Sequence, residues 1–226
     1  MPKLLKFLLI FFSVMITLVI ISRVTNMLNY FSASTVSNYP TIKSKEIFFT
    51  SNLKKPTRFD FICYKNETEE FGKQIWVHRL CGIANDKIEI KAGILYVNDK
   101  NADSDLSLAH NYYVKQATLD SLKEEEEIET DYIQQIDSEN FLVSCPDKVF
   151  VNNKIVSARD VKPKEFLNEE IKIRFVADWN EDNFGPIIVP VNKYFVMGDN
   201  RSNALDSRYI GFIDKGKYVA TVLQKK

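Results

Sequence analysis

The chain has 226 residues, 45% of them apolar, with 30 lysines and arginines against 30 aspartates and glutamates. That length can bury a sizeable core. A balanced charge with no basic stripe interleaved with aromatics offers nothing to track phosphates, so no nucleic acid is expected as a partner.

In chain order, Leu4 to Ser22 is almost uniformly apolar, broken by Lys6 near its start and by Ser13 and Thr17. At a rise of about 1.5 Å per residue such a helix crosses most of a hydrocarbon core of about 30 Å, which predicts one transmembrane anchor over residues 1–24. Lys3 and the free amine precede it and Lys6 lies at its start, while Arg23 stands alone after it until Lys43. The positive-inside rule then places the amino terminus in the cytoplasm and the rest of the chain outside. The rival reading is a cleaved signal peptide, with Ser32-Ala33-Ser34 as the small-residue patch. That patch lies too far past an apolar run that is itself too long for an h-region.

Asn26 to Tyr39 is polar and aromatic without a clear period. Ile47-Phe48-Phe49 reads as core before lipid interface, and Pro56 to Tyr64 and Gln74 to Cys81 read as strands rich in β-branched and aromatic residues. Ile94 to Asp99 and Val149 to Val156 each break at an Asn-containing pair, which predicts hairpins. Thr118 to Ile136 is expected to be helical, with the acidic run Glu124 to Glu127 as a solvated face. His110 carries no assigned role, and Ile171 to Val176 reads as a further strand. Three cysteines, Cys63, Cys81 and Cys145, lack metal-ligand spacing. They are expected as buried small hydrophobes, one disulfide being feasible but not predicted, in an outside compartment where an odd count leaves at least one unpaired within the chain.

The most informative run is Val189 to Phe212, VPVNKYFVMGDNRSNALDSRYIGF. The apolar strand Lys193 to Met197 enters a turn at Gly198, Asp199 and Asn200, and Asp199, Arg201, Asp206 and Arg208 crowd two carboxylates and two guanidiniums together. Such charges pair when buried. Gly211 closes the run where the backbone calls for positive φ or close approach.

This run resembles the signature GDNRxxSxDSRxxG of the type I signal peptidases, membrane-bound serine proteases, with Ala204 where the family has serine. Upstream, Asp182 to Pro186 and Pro190 resemble the family's DNFGP-like stretch. Ser37, Pro40 and Thr41 resemble its SMxPT box, with Asn38 in place of methionine. VHRLCGIAND resembles its KRVxGxxGD box and keeps Arg79, Gly82 and Asp86, but it puts His78 in the lysine's place and Asn85 in that of a glycine, where asparagine also tolerates a left-handed backbone.

The resemblance implies Ser37 as nucleophile and His78 as general base. Imidazole, with an ordinary pKa near 6.5, needs no desolvation to be neutral at pH 7. Asp206 is the candidate carboxylate behind the ring and Asp199 the fallback. Loss of the lysine also accounts for Ala204, since the family's serine there serves the lysine. The Thr35 hydroxyl and the Ser37 N–H are implied as oxyanion donors, with Arg79, Asp199, Arg201 and Arg208 in support.

The expected architecture is mostly β: a signal-peptidase-like β domain over residues 25–98 and 177–226, an inserted α+β cap over 99–176, and the anchor before them. The implied activity is removal of signal peptides from exported preproteins at a bacterial cytoplasmic membrane. The implied partners are preproteins and the bilayer, with small residues at the first and third positions before the cut, an acid limb near pH 6 to 7, and no metal or cofactor. Two other readings stand beside it: an inactive homologue kept as a binding or assembly subunit, and a structural membrane-anchored β protein.

Overall fold

A computed structural model describes residues 2–69, 72–124, 133–152 and 158–223. Its first element is helix α1 (Lys3–Val24), with mean hydropathy 2.8 and none of its residues buried against the rest of the protein. A helix apolar on every face with no protein partner suits hydrocarbon, where only an internally hydrogen-bonded backbone is tolerated. The Thr17 hydroxyl donates to the Ser13 carbonyl at 2.9 Å, so even the polar interruption is satisfied within the helix. The helix does not pass through a free linker. The Asn52 side chain donates to the Thr25 carbonyl at 2.7 Å and the Asn52 N–H to the Asn26 carbonyl at 3.0 Å, tying the end of the anchor to the sheet that follows.

The strands come in the order β1 (Asn29–Ser32), β2 (Ile47–Ser51), β3 (Phe61–Thr68), β4 (Gly72–Gly82), β5 (Lys87–Lys91), β6 (Ile94–Val97) and β7 (Lys100–Asn101). Next come β8 (Ala109–Lys115), helix α2 (Gln116–Glu124), β9 (Ile133–Gln135), β10 (Asn140–Pro146), α3 (Asp147–Asn152), β11 (Ala158–Arg159) and α4 (Glu169–Phe175). The chain closes with β12 (Phe184–Ile188), β13 (Lys193–Met197), α5 (Ser207–Ile210), β14 (Ile213–Asp214) and β15 (Tyr218–Val222). The protein is mostly β, as expected.

Among the described residues the strands form three sheets. The central one has seven strands in the order β1-β2-β15-β3-β4-β13-β14, and its long β3–β4 pair runs from Phe61 opposite Arg79 to Thr68 opposite Gly72. A second sheet, β12-β5-β6-β7, packs Ile88, Leu95 and Phe184 against Cys81, Phe195 and Met197 of the first. The third, β11-β8-β10-β9, has its own core of Tyr112, Val143, Phe150 and the α2 residues Leu119 and Leu122. It meets the signature loop where Ala109 bridges Asn200 and the Arg201 N–H donates to the Ala109 carbonyl at 2.9 Å.

Several expectations hold. Ile94 to Asp99 enters a hairpin whose turn residues Asn98 and Asp99 have φ of 53° and 64°. Asn85 takes φ 71° and Gly211 φ 82°, the left-handed backbone foreseen for both. All three cysteines are buried and none forms a disulfide.

Others are corrected. Ile171 to Phe175 lies in helix α4 and Val176 is its left-handed C-cap: Asn168 caps the other end by accepting from the Glu170 and Ile171 N–H groups, acids fill the first turn and bases the last. Capping and dipole pairing outweigh a pattern that mimics strand alternation. Asp147–Asn152 is helix α3 rather than half of a hairpin, because Pro146 ends β10 and Asp147 opens a helical turn that buries Val149 and Phe150; residues 153–157 lie outside the described residues. The helix expected through Ile136 is described from Gln116 to Glu124, residues 125–132 lie outside the described residues, and Ile133–Gln135 instead pairs with Phe141–Val143 of β10 on the edge away from β8. Of the acidic run only Glu124 is described. On β2, Phe48 is buried as expected, but Ile47 and Phe49 are 60% and 51% exposed, since a strand sends neighbours to opposite faces. His110 donates or accepts at 2.7 Å with Asp147 inside the third sheet.

The junction between the first two sheets rests on Phe195, which is fully buried with its ring 5.8 Å from Phe184 and 6.2 Å from Phe212. Truncation there leaves a cavity that two backbones cannot close. Phe195→Ala is expected to cost about 3–5 kcal/mol, read as a lowered denaturant midpoint of the detergent-solubilised protein by fluorescence.

Candidate active site

Ser37 sits in the loop between β1 and β2, half-buried, and the loop is held from three sides. The Asn200 N–H donates to the Ser37 carbonyl at 3.1 Å. The Asn38 amide donates to the Val77 carbonyl at 2.8 Å. The Thr41 hydroxyl donates to Asp199. Gly198 is required for the first of these contacts, because a methyl group there would overlap the Ser37 carbonyl oxygen and Ala204 Cβ. The signature loop therefore lies directly against the backbone of Ser37, and Asn38 pins that backbone to β4 one residue before His78.

Ser37 and His78 line one cavity of about 440 Å³, together with Ala33, Thr35, Trp76 and Leu205. The cavity runs beside β4. Strand β13 pairs with β4 only from Arg79 to Gly82, so along Gly72 to His78 that edge of β4 has no strand partner among the described residues.

His78 is buried, and its Nδ1 lies 2.8 Å from the Tyr64 hydroxyl on β3. Its ring also meets the edge of Trp76 at 6.1 Å. Burial pushes the imidazole down to about 4; the charge of Asp206 pulls it up and that of Arg208 pushes it down again. The ring is therefore neutral at physiological pH by a wide margin.

Asp206 does not hydrogen-bond the ring, which corrects the expected carboxylate behind it. One of its oxygens accepts from the Arg208 N–H at 3.1 Å and from Arg208 Nε at 2.9 Å. The other accepts from the Gly198 N–H at 3.1 Å and from Arg208 Nη2 at 2.9 Å. Burial drives this carboxyl up, but the Arg208 guanidinium overrides it and holds it below the ordinary carboxylate range. Its four donors leave it to act on His78 through its charge alone.

The fallback, Asp199, is also engaged elsewhere: Arg79 grips it with Nε at 2.7 Å and Nη2 at 2.6 Å, both side chains fully out of solvent. Arg208 further donates to the Arg201 carbonyl at 2.6 Å. Arg201 turns away and binds Asp103 at 2.7 and 3.0 Å, tying the signature loop to the segment after β7. The supporting charges thus form three separate ion pairs, two fully buried and the Arg201–Asp103 pair partly so, a pattern legible in sequence as charge crowding but not as pairing.

Thr35 is close to the serine as expected: its hydroxyl oxygen lies 3.0 Å from Ser37 Oγ, and the Ser37 N–H donates to it at 3.4 Å. The two expected oxyanion donors are here bonded to each other. Sequence reasoning missed three residues. Tyr64 stood only as a strand aromatic, although the hydroxyl of a buried tyrosine usually finds a hydrogen-bond partner. Asn38 appeared as a departure from the motif, whereas it clamps the loop. Asp103 lay in an unassigned stretch, and no local signal marks it.

This arrangement can be compared with known proteins. The family model "Signal peptidase, peptidase S26" matches residues 4–224 of the chain. A signal peptidase I from Buchnera aphidicola (subsp. Schizaphis graminum) is 29% identical over 174 residues, which cover 71% of this chain and 50% of that protein. Signal peptidase I S from Bacillus subtilis is 25% identical over 190 residues, covering 82% and 69%. Signal peptidase I P from Bacillus subtilis subsp. natto is 48% identical over a shorter stretch of 63 residues, covering 27% and 31%. The chain spans about half the length of its Buchnera relatives. The crystal structure of a signal peptidase I from Enterococcus faecalis V583 overlaps 75% of this chain and 98% of its own at 22% identity, with a TM-score of 0.36. With the match running from the anchor helix through the last strand, the chain belongs to the signal peptidase family, peptidase S26.

Proposed function

We propose that the chain is a membrane-anchored serine endopeptidase that removes signal peptides from exported preproteins, with Ser37 as nucleophile and His78 as general base. The observation that carries this reading is the shared cavity: the hydroxyl and the imidazole open onto one space beside an unpaired strand edge. An extended substrate backbone adds to the edge of β4 between Gly72 and His78, and the small side chains before the cut enter the cavity near Ala33 and Val77.

In this scheme the Ser37 Oγ–H proton passes to His78 Nε2 as Oγ bonds the scissile carbonyl carbon. The same proton is then delivered to the leaving amine, and water resolves the acyl-enzyme by the reverse path. Thr35 and the Ser37 N–H exchange their mutual bond for the oxyanion, each such donor contributing roughly 3 to 4 kcal/mol to the transition state in serine proteases. Asp206, Asp199, Arg208 and Arg79 hold the loop and β4 in register, while Arg201 serves the more distant contact with Asp103.

The bilayer is the other partner. The anchor ends against β2, and Met27, Leu28, Tyr30, Ile47, Phe49 and Leu53 are exposed around that junction. Apolar surface of this kind beside a membrane helix is suited to the lipid interface. Lys3 and Lys6 in the first turns of the helix favour an amino terminus in the cytoplasm, with the catalytic sheets outside a bacterial cytoplasmic membrane.

Ser37→Ala and His78→Ala are expected each to reduce cleavage of a preprotein in detergent micelles by at least 10³-fold, measured by release of the mature protein on gels; retained turnover in either variant refutes the scheme. Thr35→Val, which removes one donor, is expected to lower kcat by about 10²–10³-fold with KM little changed.

The pH profile follows from burial. The neutral imidazole is the active form and its pKa is pushed down to about 4, so activity is expected to hold as pH falls from 7 to about 5 and to fall only below that. This moves the acid limb from the pH 6 to 7 expected for an ordinary histidine. The same shift costs stability in acid. The unfolded chain takes up the His78 proton near its ordinary value, so stability present above pH 6.5 drains away as pH falls toward 4. A limb between pH 6 and 7 with the fold intact would show that the ring is solvated during turnover.

A further inference from the structure

We propose that Tyr64 is the positioning residue of the base: its phenol oxygen accepts the Nδ1–H of His78 and so leaves the Nε2 lone pair free for the Ser37 proton. This rests on the Ser37 and His78 reading above and adds to it the group that fixes the ring, a place the sequence assigned to a carboxylate.

Three observations and one chemical requirement point to it. The Tyr64 hydroxyl lies 2.8 Å from Nδ1. Both carboxylates that sequence reasoning offered for that position are bound to arginines, Asp206 to Arg208 and Asp199 to Arg79. Tyr64 is fully buried, with Ile62, Leu80 and Val196 packed in the same cluster, so its hydroxyl is held in place. With Nδ1 occupied, Nε2 is the nitrogen left for the serine, and it accepts a proton only in the tautomer whose hydrogen sits on Nδ1. Were Tyr64 to donate instead, the ring would present N–H to Ser37 and could not act as a base.

The phenol orients without relaying. Burial and the charge of Asp206 push its ionisation well above the ordinary range, so it keeps its own proton throughout. In the acylation step the Ser37 O–H bond breaks, the Oγ–C bond forms, Nε2 gains the proton, and Nδ1–H stays on the ring. The positive charge that forms there faces Asp206, Arg208 and Asp199 at longer range and Trp76 and Tyr64 in contact. A phenol oxygen brings no negative charge to that contact, unlike the carboxylate of a Ser-His-Asp triad.

The test compares Tyr64→Phe, which keeps the ring volume, with the parent, both full-length in detergent. A loss in kcat of at least tenfold with KM within twofold, and an acid limb displaced to lower pH, supports the assignment, because an accepted hydrogen bond favours the imidazolium over the neutral ring. Unchanged kcat, or a limb displaced to higher pH, overturns it. A second readout does not depend on the variant folding. The chain has two histidines, so ¹⁵N spectra of the labelled parent, assigned against His78→Ala, report the tautomer directly. Nδ1–H on His78 supports the assignment and Nε2–H overturns it. An inactive His78→Ala beside a fully active Tyr64→Phe removes the role of Tyr64 alone, whereas an active His78→Ala removes the site and this inference with it.

Discussion

The ion pair between Arg79 and Asp199 holds together everything the site needs. Arg79 follows His78 on β4, Asp199 opens the signature loop after β13, and Thr41 ties the serine loop to the same carboxylate. Taking both charges out of water is expensive, and the pair is tolerable because both ends are hydrogen-bonded: the carboxylate accepts from Nε, Nη2 and the Thr41 hydroxyl, and Nη1 donates to the Phe59 carbonyl. Its worth lies in specificity more than in stability. A carboxylate buried beside the wrong partner, or slipped by one residue along β4, would stand unpaired at a cost of several kcal/mol. The register that brings His78 to the cavity is thereby fixed.

The second ion pair, Arg208 with Asp206, explains how a buried histidine can sit near a carboxylate without being bound by it. Four donors consume Asp206, one of them the Gly198 N–H that shapes the turn. What remains for His78 is a long-range field opposed by Arg208 and by burial, and burial is the larger effect. The imidazole is consequently neutral over a wider range of pH than an ordinary histidine. The departures from the family motif each have a place in this arrangement. His78 is neutral without the tuning a lysine requires, Asn38 clamps the serine loop to Val77, and the Ala204 methyl lies where Gly198 admits the Ser37 carbonyl.

The anchor is part of the same construction. Its last residues are bonded to Asn52 at the end of β2, and β2 lies next to β1, from which the chain runs on to Ser37. The position of Ser37 relative to the end of the apolar helix therefore follows from the β1–β2 pair and the bonds of Asn52.

Much was already legible in the residues alone. The apolar run Leu4 to Ser22, the strand Lys193 to Met197, the turn at Asn98 and Asp99, and the left-handed places of Asn85 and Gly211 are local, set by hydropathy, period and backbone sterics within a few neighbours. The motifs also marked Ser37, Thr35 and His78, which do meet at one cavity. Local pattern failed where alternation imitated a strand, as at Ile171 to Val176, because the cap at Asn168 settled the matter. It also failed wherever a partner lay far along the chain. That Asp206 would choose Arg208, Asp199 choose Arg79 and Arg201 choose Asp103, leaving Tyr64 to meet His78, depended on how β3, β4 and the signature loop pack. Composition says how many charges must be paired when buried, but which ones pair is a matter of distance, and distances between remote residues exist only once the sheets have closed.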